Sequence, residues 1–145
     1  LKYGELYFFT DKAFKIDIPA QLFKFNVYLL TGIANPKPLH TYVKEYANQV
    51  VHKSYPDHYH FTKEDMQEIR KNFNAIPGEN KIIITTEKDF MRLLKEDLIE
   101  LITGLPLFIL PIEIDFKNKT EEFNETIQRY ARTNKIYHSK YSPGN

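Results

Sequence analysis

Cysteine is absent from this 145-residue chain. That excludes a disulfide framework, thiolate zinc sites and a cysteine nucleophile, and is compatible with a reducing compartment. Charge of one sign is missing as well: 20 Lys and Arg stand against 19 Asp and Glu, a formal net charge of +1. No overall electrostatic argument therefore points to nucleic acid or to an anionic membrane. The longest nearly uncharged run, 101–112, carries Gly104, Pro106 and Pro111 and falls well short of the roughly 20 residues a membrane-spanning helix needs. It reads as a buried strand. Neither Gly-x-Gly-x-x-Gly nor Gly-x-x-x-x-Gly-Lys-[Ser/Thr] occurs, so the chain has no glycine-rich phosphate cradle of its own. A signal-peptide pattern is absent, and the chain opens at Leu1 without methionine, directly into strand-like sequence. A fragment or processed chain is expected.

What is present suffices for one core: 42% of residues are apolar and 14% aromatic, which predicts a single globular domain rather than disorder. Around Asp11 and Lys12, residues 3–9 and 14–18 alternate apolar and polar side chains, the pattern of an antiparallel hairpin. After Pro19 the pattern changes. Short strand candidates at 25–30, 49–52, 81–85 and 107–112 are each followed by polar loop residues and then a helical period. Thr62 with Asp65 fits a capping box, and Phe61 with Met66 fits a hydrophobic staple. Met66, Ile69 and Phe73 then share one helix face, and Pro77-Gly78 ends the helix. Thr86 with Asp89 is expected to cap a second helix, and Thr120 followed by Glu121 and Glu122 a third with Phe123, Ile127 and Tyr130 on one side.

Strands alternating with helices at this spacing predict an α/β fold: a mostly parallel sheet with helices on both faces, preceded by the hairpin. The division expected is a hairpin linker at 1–19, an α/β lobe at 20–133 and a frayed tail at 134–145. Ligands of such sheets bind outside the carboxyl ends of the strands, so the loops 31–38, 54–62, 85–89 and 113–115 are the places for chemistry.

Three of those loops carry unusual residues. In 31–38 one glycine and two prolines surround Asn35, a composition that a strand-to-helix turn explains, with Pro38 near the first helical position. Tyr55-Pro56-Asp57-His58-Tyr59-His60-Phe61-Thr62 collects a carboxylate, two imidazoles and two phenols. A proline-ordered turn with solvated histidines accounts for it. So does His58 meeting a carboxylate from elsewhere to move or hold a proton, and so does a metal gathered by His58, His60 and Asp57 or His52, although no complete ligand set stands at recognisable spacing. An imidazolium about 4 Å from a carboxylate at an effective dielectric near 20 gains about 4 kcal/mol, almost three pKa units as an upper bound. One histidine can thus reset a carboxylate. In Thr85-Thr86-Glu87-Lys88-Asp89 the capping reading covers Thr86, Glu87 and Asp89, while Lys88 and Arg92 fall at i and i+4 on one face, available to a substrate phosphate or to water.

Taken in order, Gly32-Ile33-Ala34-Asn35-Pro36, Tyr55-Pro56-Asp57-His58 with Phe61-Thr62, and Thr85-Thr86-Glu87-Lys88-Asp89 resemble the C-terminal half of the lipid A 4'-kinases (tetraacyldisaccharide 4'-kinases) over roughly residues 1–116. The resemblance implies ATP- and magnesium-dependent phosphorylation of the 4'-hydroxyl of an acylated disaccharide 1-phosphate, at the cytoplasmic face of the inner membrane of Gram-negative bacteria. It implies two α/β lobes joined by a β-ribbon, to which the hairpin would belong. The P-loop, the magnesium ligands and the carboxylate acting on the sugar would lie in a lobe upstream of Leu1. On that pattern His58 matches the histidine that reaches across the cleft to pair with the facing carboxylate, and Asp57 matches its acidic neighbour. Asn35, Glu87, Lys88 and Arg92 become substrate-binding candidates. The partners implied are the P-loop lobe of the same protein and the lipid substrate, with peripheral membrane contact and no nucleic acid. ATP and magnesium would be bound mainly by the missing lobe, and the fragment alone would be inactive. The competing readings are a non-catalytic α/β binding or regulatory module and a metal-dependent hydrolase built on His58, His60 and Asp57.

Overall fold

A computed structural model describes residues 2–113 and 123–130. The expected tail at 134–145, the start of the third helix at Thr120, Glu121 and Glu122, and positions 114–115 lie outside the described residues.

Six strands form one mixed sheet. In chain order they are β2 (Leu6–Phe8), β3 (Asp11–Ile16), β4 (Asn26–Thr31), β5 (Gln49–Ser54), β6 (Lys81–Thr86) and β7 (Leu107–Leu110), arranged in space as β3-β2-β7-β6-β4-β5. The last four are mutually parallel, and β2 pairs antiparallel with both β3 and β7. The α/β expectation holds, with one difference: the hairpin does not stand apart but supplies two strands of the main sheet. Tyr7 lies opposite Ile109 and Phe8 opposite Phe108, so the apolar alternation of the hairpin is answered by a strand about a hundred residues away.

Two expected strands are interrupted. Residues 3–9 divide into β1 (Lys2–Tyr3) and β2, and residues 107–112 divide into β7 and β8 (Ile112–Glu113), which pairs with β1. Pro111 causes the second break, because it has no amide to donate to a ladder. Its carbonyl instead accepts the Gly4 amide at 2.9 Å, where a β-carbon on Gly4 would meet the Pro111 ring at 3.0 Å.

The helices are α1 (Ile18–Gln21), α2 (Lys37–Tyr46), α3 (Lys63–Ala75) and α4 (Glu87–Lys95), with residues 123–130 also helical. Right-handed crossovers put α2 on one face, because β4 to β5 steps one way. They put α3 and α4 on the other, because β5 to β6 and β6 to β7 step back. α1 packs on α2, and Phe90 of α4 packs edge-on against Phe123 and Phe9.

Local chemistry explains the helix starts. Thr62 Oγ1 accepts the Asp65 amide at 3.2 Å while Asp65 Oδ2 accepts the Thr62 amide at 2.9 Å, so both halves of the capping box form. Thr86 Oγ1 accepts the Asp89 amide at 3.1 Å. The core runs through both layers, with Val27, Leu29, Ile83, Ile84 and Ile109 of the parallel strands fully buried, as strands covered on two faces require. Among the described residues no helix is long and apolar enough to cross a membrane.

Candidate functional site

The direction of the crossovers reverses between the neighbouring strands β4 and β6. At such a switch point two loops leave the sheet for opposite faces and open a crevice outside the carboxyl ends of the strands. Asn35 lies on the loop after β4, Asp57 and His58 on the loop after β5, and Glu87, Lys88 and Arg92 on the first two turns of α4, after β6.

A buried carboxyl lies where the segments after β4, β5 and β6 come together. Asp89, in the first turn of α4, has a side chain only 1% exposed. Both of its oxygens accept the Gly32 amide at 3.1 Å, and Oδ2 accepts the Thr86 hydroxyl at 2.7 Å. Arg92, one turn on, donates from Nη1 to the Gly32 carbonyl at 2.6 Å and to Asp89 Oδ1 at 3.2 Å. Glycine at position 32 is dictated by space: a β-carbon would sit 3.0 Å from Asp89 Oδ1 and 3.2 Å from Arg92 Nη1. Burial pushes the Asp89 carboxyl upward, and the Thr86 hydroxyl, the Gly32 amide and the cations of Arg92 and Lys88 oppose it.

The same guanidinium reaches the third loop. Arg92 Nη2 lies 3.4 Å from Asp57 Oδ1, with Lys88 Nζ at 3.5 Å from the same oxygen. Partial withdrawal from water pushes the Asp57 carboxyl up, but Lys88, His58 and Arg92 outweigh it and hold the group below the usual aspartate range. The Asp57 carboxylate also takes the backbone amide of His58 at 3.0 Å, and its Oδ2 stands 3.4 Å from His58 Nε2. His58 has φ +61°, in the left-handed region that costs a residue with a β-carbon about 1 kcal/mol. Its side chain is 82% exposed. The loop behind it is packed: Tyr55 stacks on Tyr59 with ring centroids 4.8 Å apart, and both meet Phe61 edge-on. Tyr59 Oη donates to Asp65 Oδ2 at 2.8 Å, which fastens the loop to the cap of α3.

The remaining candidates scatter. Asn35 is exposed on the first loop. Glu87 turns to the hairpin, where Tyr7 Oη donates to its Oε2 at 3.2 Å. Burial raises the Glu87 carboxyl, against the Tyr7 hydroxyl and the Lys12 ammonium, which favour its charge. His60 does not join His58 and Asp57: its Nδ1 lies 3.5 Å from Glu96 Oε1. Among the described residues no group of three or more His, Asp or Glu could hold a metal ion, which removes the arrangement a hydrolase reading needs. The chain also carries no glycine-rich phosphate-cradling motif, and nothing among the described residues marks where a nucleotide or its magnesium ion would bind. Sequence reasoning missed the convergence of Gly32, Asp89 and Arg92. Glycine one residue past an apolar strand was the only local sign of it.

Fold and site together define an α/β domain with a polar cluster at its topological switch point and an exposed imidazole beside it. Comparison with known proteins gives the family. The model of the tetraacyldisaccharide-1-P 4'-kinase family matches residues 9–132, and the chain belongs to that family. A tetraacyldisaccharide 4'-kinase of Bacteroides thetaiotaomicron is 38% identical over 110 residues, covering 75% of this chain and 29% of the relative. That of Parabacteroides distasonis is 32% identical over 133 residues, covering 90% and 36%, and that of Flavobacterium johnsoniae 36% identical over 106 residues, covering 73% and 28%. The chain thus spans about a third of the length of the curated relatives it matches. No solved structure matches it.

Proposed function

We propose that this chain is the C-terminal lobe of a two-lobed kinase that phosphorylates the 4'-hydroxyl of a tetraacyldisaccharide 1-phosphate in lipid A biosynthesis. On this reading ATP and magnesium bind mainly to a P-loop lobe upstream, the hairpin β2–β3 belongs to the link between the lobes, and the protein works at the cytoplasmic face of the inner membrane. The lobe described here contributes His58, supported by Asp57, to a site completed by the facing lobe.

One observation carries the proposal: His58 is displayed rather than buried, on the carboxyl edge of the sheet, with a backbone held at φ +61° and a neighbouring carboxylate tied down by two cations. An imidazole solvated on one side and anchored on the other is suited to meeting a carboxylate brought by another lobe. There it holds a proton between two carboxylates, orienting and tuning the one that accepts the proton of the sugar hydroxyl. Such a contribution suits phosphoryl transfer, where positioning and charge stabilisation outweigh covalent work. Asn35 and Lys88, exposed on the same edge, are proposed substrate contacts.

In the longer parent protein, His58→Ala is expected to lower kcat about 100-fold while the KM for ATP stays within about twofold, because the imidazole serves a proton acceptor and not the nucleotide. An unchanged kcat overturns the role of His58. A non-catalytic module would show no transfer to the disaccharide in any form of the protein.

A further inference from the structure

We propose that Arg92, fixed by Asp89, is a positioning residue that sets the catalytic geometry of His58 through Asp57, and is not a ligand of a substrate phosphate. The inference rests on the reading of His58 given above and assigns a role to the buried clamp beneath it.

Three facts lead there. Among the described residues Arg92 is the side chain that joins the segments after all three parallel strands: Gly32 after β4, Asp57 after β5 and Asp89 in the first turn of α4 after β6. Its side chain is only 17% exposed, and three of its five N–H groups are already directed at protein oxygens on three segments, so the guanidinium is committed mainly to the protein. A planar fork is also the right tool, since two nitrogens in fixed relation can hold Asp57 and Asp89 on opposite sides where the point charge of a lysine holds one.

Asp89 is what makes the arrangement rigid. It is anchored by the Gly32 amide and the Thr86 hydroxyl, neither of which can move without unwinding the start of α4 or the end of β4. The position of Arg92 is therefore a property of the sheet, and Asp57 inherits it. Asp57 in turn holds His58 at two points, its amide and its imidazole. Lys88 meets Asp57 as well, but with a side chain 55% exposed and one contact at 3.5 Å it supplies charge rather than direction.

The chain of contacts predicts a coupling that a merely structural arginine would not show. In the parent protein, Arg92→Lys keeps the charge and loses the fork. Its kcat is expected to fall about 10-fold with the KM values for ATP and disaccharide within about twofold, and the same substitution in a His58→Ala background should cost less than about twofold more. Asp57→Asn breaks the link from above without touching the buried clamp, so it covers the case of an Arg92 variant that folds poorly. It should reproduce the loss and be likewise silent in the His58→Ala background. Equal losses with and without His58, for both substitutions, overturn the inference. So does a rise in the KM for the disaccharide phosphate at unchanged kcat, which would make Arg92 a substrate ligand. A His58→Ala variant with unimpaired kcat would sink the underlying reading instead, so the two failures are told apart.

Discussion

A cation ties segments together at each end of the sheet, Lys81 at one and Arg92 at the other, and the two are used differently. At the amino end Lys81, opening β6, donates from Nζ to the carbonyls of Phe73 at 3.1 Å, Asn74 at 3.3 Å and Ile76 at 2.7 Å. It finishes the C-terminus of α3, where orphan carbonyls and the helix dipole favour a positive charge. All its partners are neutral and local. At the carboxyl end Arg92 joins three loops and two carboxylates, one buried and one at the surface beside His58. The amino end closes a helix, whereas the carboxyl end withdraws carboxyl groups from water and leaves the His58 imidazole outside. A fold needs the first arrangement. The second costs desolvation and strained backbone, and such costs gather where chemistry is done.

That contrast can be broken by mutation, with stability read by chemical denaturation of the chain. Asp89→Ala is expected to do most damage, about 3–5 kcal/mol, because it strands a partly buried guanidinium and a buried amide and hydroxyl. Gly32→Ala should follow at about 2 kcal/mol, since the new methyl presses on a carboxylate that cannot retreat. Lys81→Met, at the other end, should cost only about 1 kcal/mol, the scale of a helix-terminus charge with its hydrogen bonds to carbonyls. If Lys81→Met proved as harmful as Asp89→Ala, the two ends would not differ in the way described.

The smallest effect separates the two kinds of carboxylate by pH. Burial raises Glu87 above its ordinary value of 4.5. Its ionised form is therefore disfavoured in the native state, a penalty absent in acid and growing as pH rises through and above that value. Glu87→Gln, which still accepts from Tyr7, should raise Tm at neutral pH and lose that advantage below about pH 4.5. Asp57, held low, has the opposite sign: its ion pairs stabilise above the ordinary aspartate value and are lost as pH falls through the depressed one. Asp57→Asn should therefore lower Tm slightly at neutral pH and leave it unchanged in strong acid.

What could be read from sequence was what is local. The cap at Thr62 and Asp65 needs four consecutive residues; the break at Pro111, though just as local, is passed over when 107–112 is read as one strand. The order of strands and helices needs only periodicity. The hairpin was legible as a hairpin, but its membership of the main sheet depends on Phe8 finding Phe108, a pairing that no window of sequence contains. The site divides in the same way. Lys88 and Arg92 were legible as neighbours on a helix face because four residues make one turn, while their shared partner Asp57 lies 31 and 35 positions away. Asp89 read as a first-turn residue complementing a helix dipole. The Gly32 amide that both of its oxygens accept comes from 57 positions off. His58 and His60, adjacent but one in sequence, invited a common ligand. The left-handed turn at His58 separates them, and His60 faces Glu96.

The account stands on this lobe being half of an active site. Its most direct test is transfer of labelled γ-phosphate to the disaccharide, measured side by side with the 145-residue chain and with the longer parent protein. Transfer by the parent and none by the chain is the result predicted; phosphorylation of the sugar by the chain alone would contradict it.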